Sequence, residues 1–150
     1  ELHAFQEKLA DFEARDAEVI GCSVDSKFSH FAWLNTPANK GGIEGVKYPL
    51  VSDINKTIAN EYDVLFEEEG IAFRGLFIID KKGVIRHQLI NDLPLGRSVD
   101  EVIRLIDAIE FHEQNGEVCP ANWKKGDQAM IADQNGLQEY FEDYKILEKA

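Results

Sequence analysis

The chain has 150 residues, 44% hydrophobic and 29% charged, with 28 acidic against 16 basic side chains and a net charge of −12. That length suits one domain with a sizeable core, and the acidic surface repels phosphate backbones, which excludes nucleic acid as a partner. No apolar run is long enough for a transmembrane helix, and two widely separated cysteines suit a reducing, cytoplasmic compartment rather than a secreted disulfide framework.

Leu2, Phe5, Leu9 and Phe12 recur at helical spacing and predict an amphipathic helix over residues 2–15. A helix that opens without a cap or lead-in implies a segment upstream of Glu1, together with any targeting signal it carries. Ala17 to Val24 reads as a short apolar strand, in which Cys22 is expected as a small buried hydrophobe. Asp25-Ser26 caps a second helix through Phe28, Phe31 and Leu34, and Thr36-Pro37 stops it. The loop Ala38 to Tyr48 contains Gly41-Gly42-Ile43-Glu44-Gly45. It lacks the Lys-Ser/Thr of a phosphate loop and reads as a surface turn.

A short strand over Tyr48 to Val51 precedes a helix capped by Asp53 and carrying Ile54, Ile58 and Tyr62. Glu67, Glu68 and Glu69 read as a solvated loop. Ala72 to Asp80 is the strongest strand, and its contiguous Leu76, Phe77, Ile78 and Ile79 imply a central strand buried on both faces. Lys81-Lys82-Gly83 turns it into an antiparallel partner over Val84 to Ile90. Ser98-Val99-Asp100-Glu101 has the form of a capping box. The helix it starts runs through Val102, Ile103, Leu105, Ile106 and Ile109 to a C-terminal Gly116. Tyr140, Phe141 and Tyr144 mark a terminal helix. The order predicts an α/β sandwich with a βαβ half and a ββα half, the thioredoxin-type arrangement, once a strand is supplied before the first helix.

Cys119 lies beside Pro120, where the long helix gives way to a polar tail. An accessible thiol of ordinary pKa is expected there: a poor first nucleophile, but able to condense with a sulfenic acid. Arg74 opens the central strand, and its spacing fits a solvated strand end or a functional cation equally. Arg97 precedes the capping box and reads as a loop cation. His3, His30, His87 and His112 have no metal-ligand spacing, so neither a metal nor a cofactor is expected.

Five segments carry a resemblance: Ile20–Ser26, His30–Thr36, Gly70–Asp80, Asn91–Glu101 and Gly116-Glu-Val-Cys-Pro-Ala-Asn-Trp123. In order and over essentially the whole chain, they resemble the typical two-cysteine peroxiredoxins, thiol peroxidases with a thioredoxin-like fold. The resemblance implies a core over residues 1–115 and a tail over 116–150 carrying the resolving cysteine, Cys119. It matches Arg74 to the active-site arginine, and Glu1 and Arg97 to the network holding that arginine. It puts the peroxidatic cysteine three residues upstream of Glu1, outside this sequence. The implied substrates are hydrogen peroxide and organic hydroperoxides, with thioredoxin or a flavoprotein disulfide reductase as reductant. The implied assembly is a homodimer that closes into a ring, a decamer. Tyr140-Phe141 is present, but Gly45 stands one place late in the glycine loop, which implies intermediate sensitivity to over-oxidation. A catalytically incomplete fragment, an oligomeric holdase or scaffold, and a Cys22–Cys119 structural disulfide are the competing readings.

Overall fold

The structure, a computed structural model, describes residues 1–142. Two compact units divide the chain, Glu1–Val99 and Asp100–Ala150.

In the first unit the opening amphipathic stretch is not one helix. It forms α1 (Leu2–Glu7) and α2 (Leu9–Glu13), broken at Lys8, which leaves helical geometry at ψ 8°. Phe12 is buried, and Leu2, Phe5 and Leu9 pack against a core of Ile43, Val46 and Tyr48. Strand β1 (Gly21–Ser23), α3 (Lys27–Leu34) and β2 (Leu50–Ser52) make the expected βαβ unit, with β1 and β2 parallel and Cys22 opposite Val51. Ser26 caps α3 as its sequence predicts, the hydroxyl accepting from the Ser29 amide at 3.1 Å.

The connection between α3 and β2 begins with a single 3-10 turn, Ala38–Lys40. Gly42 then passes so close to the Thr36 carbonyl that a Cβ has no room. Asp53, 5% exposed, caps α4 (Thr57–Glu61) from four residues ahead. Its two carboxylate oxygens accept from Ile58 N at 2.9 Å and Ala59 N at 2.7 Å.

A short antiparallel pair, β3 (Leu65–Phe66) with β4 (Ile71–Ala72), leads into the hairpin β5 (Arg74–Ile79) and β6 (Ile85–Asn91). Asp80 fixes the hairpin turn, accepting from Lys82 N at 2.9 Å and Val84 N at 3.0 Å. These amides, Val84 foremost, and the Arg86 guanidinium hold its carboxyl below the usual range against the opposing effect of burial. Strand β5 departs from expectation: among the described residues it pairs with β6 alone, its Arg74 and Ile79 ends are exposed, and its middle is half-buried. A contiguous apolar run shows what a strand can bury, and burial on both faces also needs a layer packed over each face.

The second unit contains α5, the helix Val99–Asn115 that crosses into it from the first, and α6 (Gln134–Glu142). Gly116 ends α5 at φ 73°, its amide donating to His112 O at 2.8 Å, the left-handed C-cap expected of it. Val118 and Met130 then form a two-hydrogen-bond bridge, at 2.8 and 3.1 Å. Tyr140 and Phe141 lie on α6 with their rings 5.5 Å apart. Tyr144 lies outside the described residues.

Candidate functional site

Glu1 precedes the first turn of α1, and its carboxylate meets two guanidinium groups, Arg97 before α5 and Arg74 at the start of β5. Oε1 accepts from Arg97 N at 2.7 Å and Arg97 Nε at 2.8 Å, while Oε2 meets Arg74 Nη1 at 3.2 Å. Each guanidinium is held again from behind: Arg97 Nη1 donates to Gly75 O at 2.8 Å, and Arg74 Nε donates to Leu93 O at 3.0 Å. Partial burial opposes ionisation of Glu1, but the two arginines prevail, with Arg97 contributing most, and bring its pKa from 4.5 to about 2. The carboxylate is therefore charged throughout the neutral range and orients two cations.

Three hydrogen bonds stitch α1 to the glycine loop and its exit. His3 Nε2–H donates to Gly42 O at 3.2 Å, Lys47 N–H to Gln6 Oε1 at 2.7 Å, and Tyr48 O–H to Leu2 O at 3.0 Å. Burial pushes the Tyr48 phenol up to about 12, with the Arg97 charge opposing, so it stays a donor. Sequence reasoning missed Tyr48. An aromatic within an apolar run reads as packing, and nothing local reveals where its hydroxyl points.

Both cysteines are free thiols, and both correct the sequence-based expectation. Cys22 is exposed rather than buried: side chains alternate between the two faces of β1, and Cys22 leaves on the uncovered face between half-buried Gly21 and Ser23. Partial burial of its sulfur, then the Asp53 charge, push its thiol up. Cys119 is half-buried, and its Sγ–H is directed at Ala108 O at 3.7 Å. Burial also raises this thiol above the ordinary value, with Arg104 opposing and Glu117 adding to the rise. Neither sulfur is an activated thiolate at neutral pH.

Thus the structure brings Glu1, Arg74 and Arg97 together as one cluster, and Cys119 belongs to the second unit. Among the described residues no group of histidine, cysteine and carboxylate has the makings of a metal site. No helix among them is long and apolar enough to cross a membrane.

The AhpC/TSA family matches residues 1–88, and the C-terminal domain of 1-Cys peroxiredoxin matches residues 108–143. The chain belongs to the peroxiredoxins. It is 52% identical over 146 residues to alkyl hydroperoxide reductase C of Helicobacter pylori, covering 97% of this chain and 73% of that protein. It is 51% identical over 145 residues to peroxiredoxin-1 of Gallus gallus, with the same two shares. The reduced 2-Cys peroxiredoxin of Plasmodium vivax superposes with a TM-score of 0.92 at 46% identity, covering 95% of this chain and 73% of that one. Such agreement confirms the thioredoxin-like α/β fold that the order of elements predicts, and peroxiredoxins are thiol-dependent peroxidases.

Proposed function

We propose that this peroxiredoxin reduces hydrogen peroxide and alkyl hydroperoxides through a sulfenic acid and an intersubunit disulfide to Cys119. The observation that carries the reading is the Glu1 carboxylate holding the Arg74 and Arg97 guanidinium groups at the start of α1. Two fixed positive charges there lower the pKa of a neighbouring thiol and polarise a peroxide O–O bond. The raised pKa values of Cys22 and Cys119 argue that the first nucleophile is neither of them. The family resemblance puts it three residues upstream of Glu1.

In the first step the thiolate attacks one peroxide oxygen. The O–O bond breaks, the sulfur becomes a sulfenic acid, and the other oxygen leaves as water or an alcohol after taking a proton. In the second step the Cys119 sulfur attacks the sulfenic sulfur and water leaves, giving a disulfide. A dithiol reductant, thioredoxin or a flavoprotein disulfide reductase, returns both sulfurs to thiols by exchange. Arg74 is the cation that meets the peroxide in this scheme, and Glu1 and Arg97 position it. Phe28 and Phe31, one turn apart on α3 and 75% and 70% exposed, support association into a ring of dimers, because a lone subunit rarely leaves such rings in water.

The test is peroxide consumption by the full-length protein with thioredoxin and its reductase, alongside a non-reducing gel. Turnover together with a peroxide-dependent, thiol-reversible dimer band supports the proposal. Absence of both leaves the oligomeric scaffold or holdase reading, to which the two raised thiols also conform.

A further inference from the structure

The resolving-cysteine segment is latched to α5 by one side chain that the peroxidase scheme does not use. Arg104 makes a two-pronged pair with Glu101 one turn earlier, Nε to Oε2 and Nη2 to Oε1, both at 2.7 Å. The remaining prong, Nη1, donates to the main-chain carbonyl of Trp123 at 2.8 Å. Trp123 closes the turn that begins directly after Cys119, its amide donating to Pro120 O at 3.1 Å, with Asn122 in the left-handed region at φ 62°. Trp123 is 3% exposed, packs its ring tilted by 45° at 5.0 Å from the Phe111 ring and donates from Nε1 to Asp127 O at 3.0 Å. On the other side of Cys119 the segment is held by His112 Nδ1–H to Glu117 O at 2.8 Å and by the Val118–Met130 bridge.

We propose that Arg104 is a positioning residue for Cys119, a latch on the Trp123 carbonyl that sets how readily the resolving segment leaves α5. The inference rests on the reading of Cys119 as the resolving cysteine. Two sulfurs bond only when their Cα atoms approach within about 7 Å, and a thiol directed at a carbonyl of α5 must turn away before it can attack. Most contacts that hold the segment are neutral hydrogen bonds or ring packing, which loosen piecemeal. The Arg104 contact is charge-assisted, and Glu101 already fixes the guanidinium in place, so little side-chain entropy is spent in forming it. The same guanidinium lies near enough to the Cys119 sulfur for its charge to oppose the effect of burial on the thiol. Latch and thiol ionisation are thereby joined in one side chain.

The experiment uses the reduced full-length protein and measures alkylation of Cys119 by iodoacetamide against pH, with Cys22 labelling as the internal control. Arg104→Gln is expected to raise the high-pH plateau rate at Cys119 on the order of tenfold, the equivalent of one charge-assisted hydrogen bond. Its apparent pKa is expected to move upward as well, because an opposing positive charge is gone. Arg104→Lys is expected to keep the pKa but still label faster, since an ammonium cannot bridge Glu101 and the carbonyl as a fork. Should Arg104→Gln not fold, Glu101→Gln is expected to raise the plateau by a smaller factor. Wild-type rates in these variants overturn the latch, and so does a parallel rise at Cys22, which indicates general loosening.

One equivalent of hydrogen peroxide then separates the latch from the reading beneath it. Faster disulfide formation in Arg104→Gln supports both. If Cys119→Ser still turns over peroxide to the same products, the resolving reading fails while the labelling result stands. If Cys119→Ser stops at the sulfenic acid and Arg104→Gln forms its disulfide at the wild-type rate, the latch alone fails.

Discussion

At Glu1 one carboxylate meets two guanidinium groups, and the consequence for pH has a definite sign. Its pKa of about 2 in the folded chain lies below the 4.5 of a free glutamate. A depressed carboxyl contributes stability in full above pH 4.5 and loses it as pH falls through the folded value. Thermal unfolding followed from pH 5 to pH 2 should therefore show a decline in the wild type that is flattened in Glu1→Gln. Arg74, with 44% of its side chain exposed, contributes little to packing, so Arg74→Met should fold normally. Its peroxidase rate should fall by roughly 10²-fold, the usual effect of removing one electrostatic donor from a site, as stopped-flow peroxide consumption would show. Residue identities predicted these roles only through the family resemblance. By spacing alone Arg74 fits a solvated strand end or a functional cation equally and Arg97 is a loop cation, because no pattern in a sequence says that residues 1, 74 and 97 converge. The two cysteines show the same limit in reverse, since thiol burial depends on neighbours brought in by the fold.

Among the elements, α1 is the one whose stability bears most on function. Six residues are too few for an isolated helix to persist, so α1 depends on what it is attached to. The bonds from His3, Gln6 and Leu2 to the glycine loop and Tyr48 are that attachment. Tyr48→Phe should cost about 1 kcal/mol and speed amide hydrogen exchange across α1 more than elsewhere. Uniform exchange rates across the chain would count against this role for the hydroxyl. Asp53→Ala should cost more, about 2 kcal/mol in denaturant unfolding, since it strips two amides at the start of α4 of their shared buried acceptor. The elements were legible where local chemistry decides them: the Ser26 cap, the Lys81-Lys82-Gly83 turn and the Gly116 stop all stand where the sequence puts them. The break at Lys8 was not legible, because the apolar spacing runs on through it and the interruption lies in the backbone. Nor was the half-buried state of β5, which depends on what covers its faces and not on its own residues.

For the whole molecule, the βαβ unit, the hairpin and the long α5 reproduce the α/β arrangement expected from the order of elements, and the match to solved peroxiredoxins fixes the fold. What the account adds is a division of labour: a cationic cluster at the start of α1 in one unit, and a thiol held back by α5 in the other. The most direct test of that division is peptide mapping of the full-length protein after one equivalent of hydrogen peroxide. The account predicts that Cys119 appears in an intersubunit disulfide with a cysteine other than Cys22, that Cys22 remains a thiol, and that reduction restores Cys119. A disulfide between Cys22 and Cys119, or a Cys119 left untouched while peroxide is consumed, would contradict it.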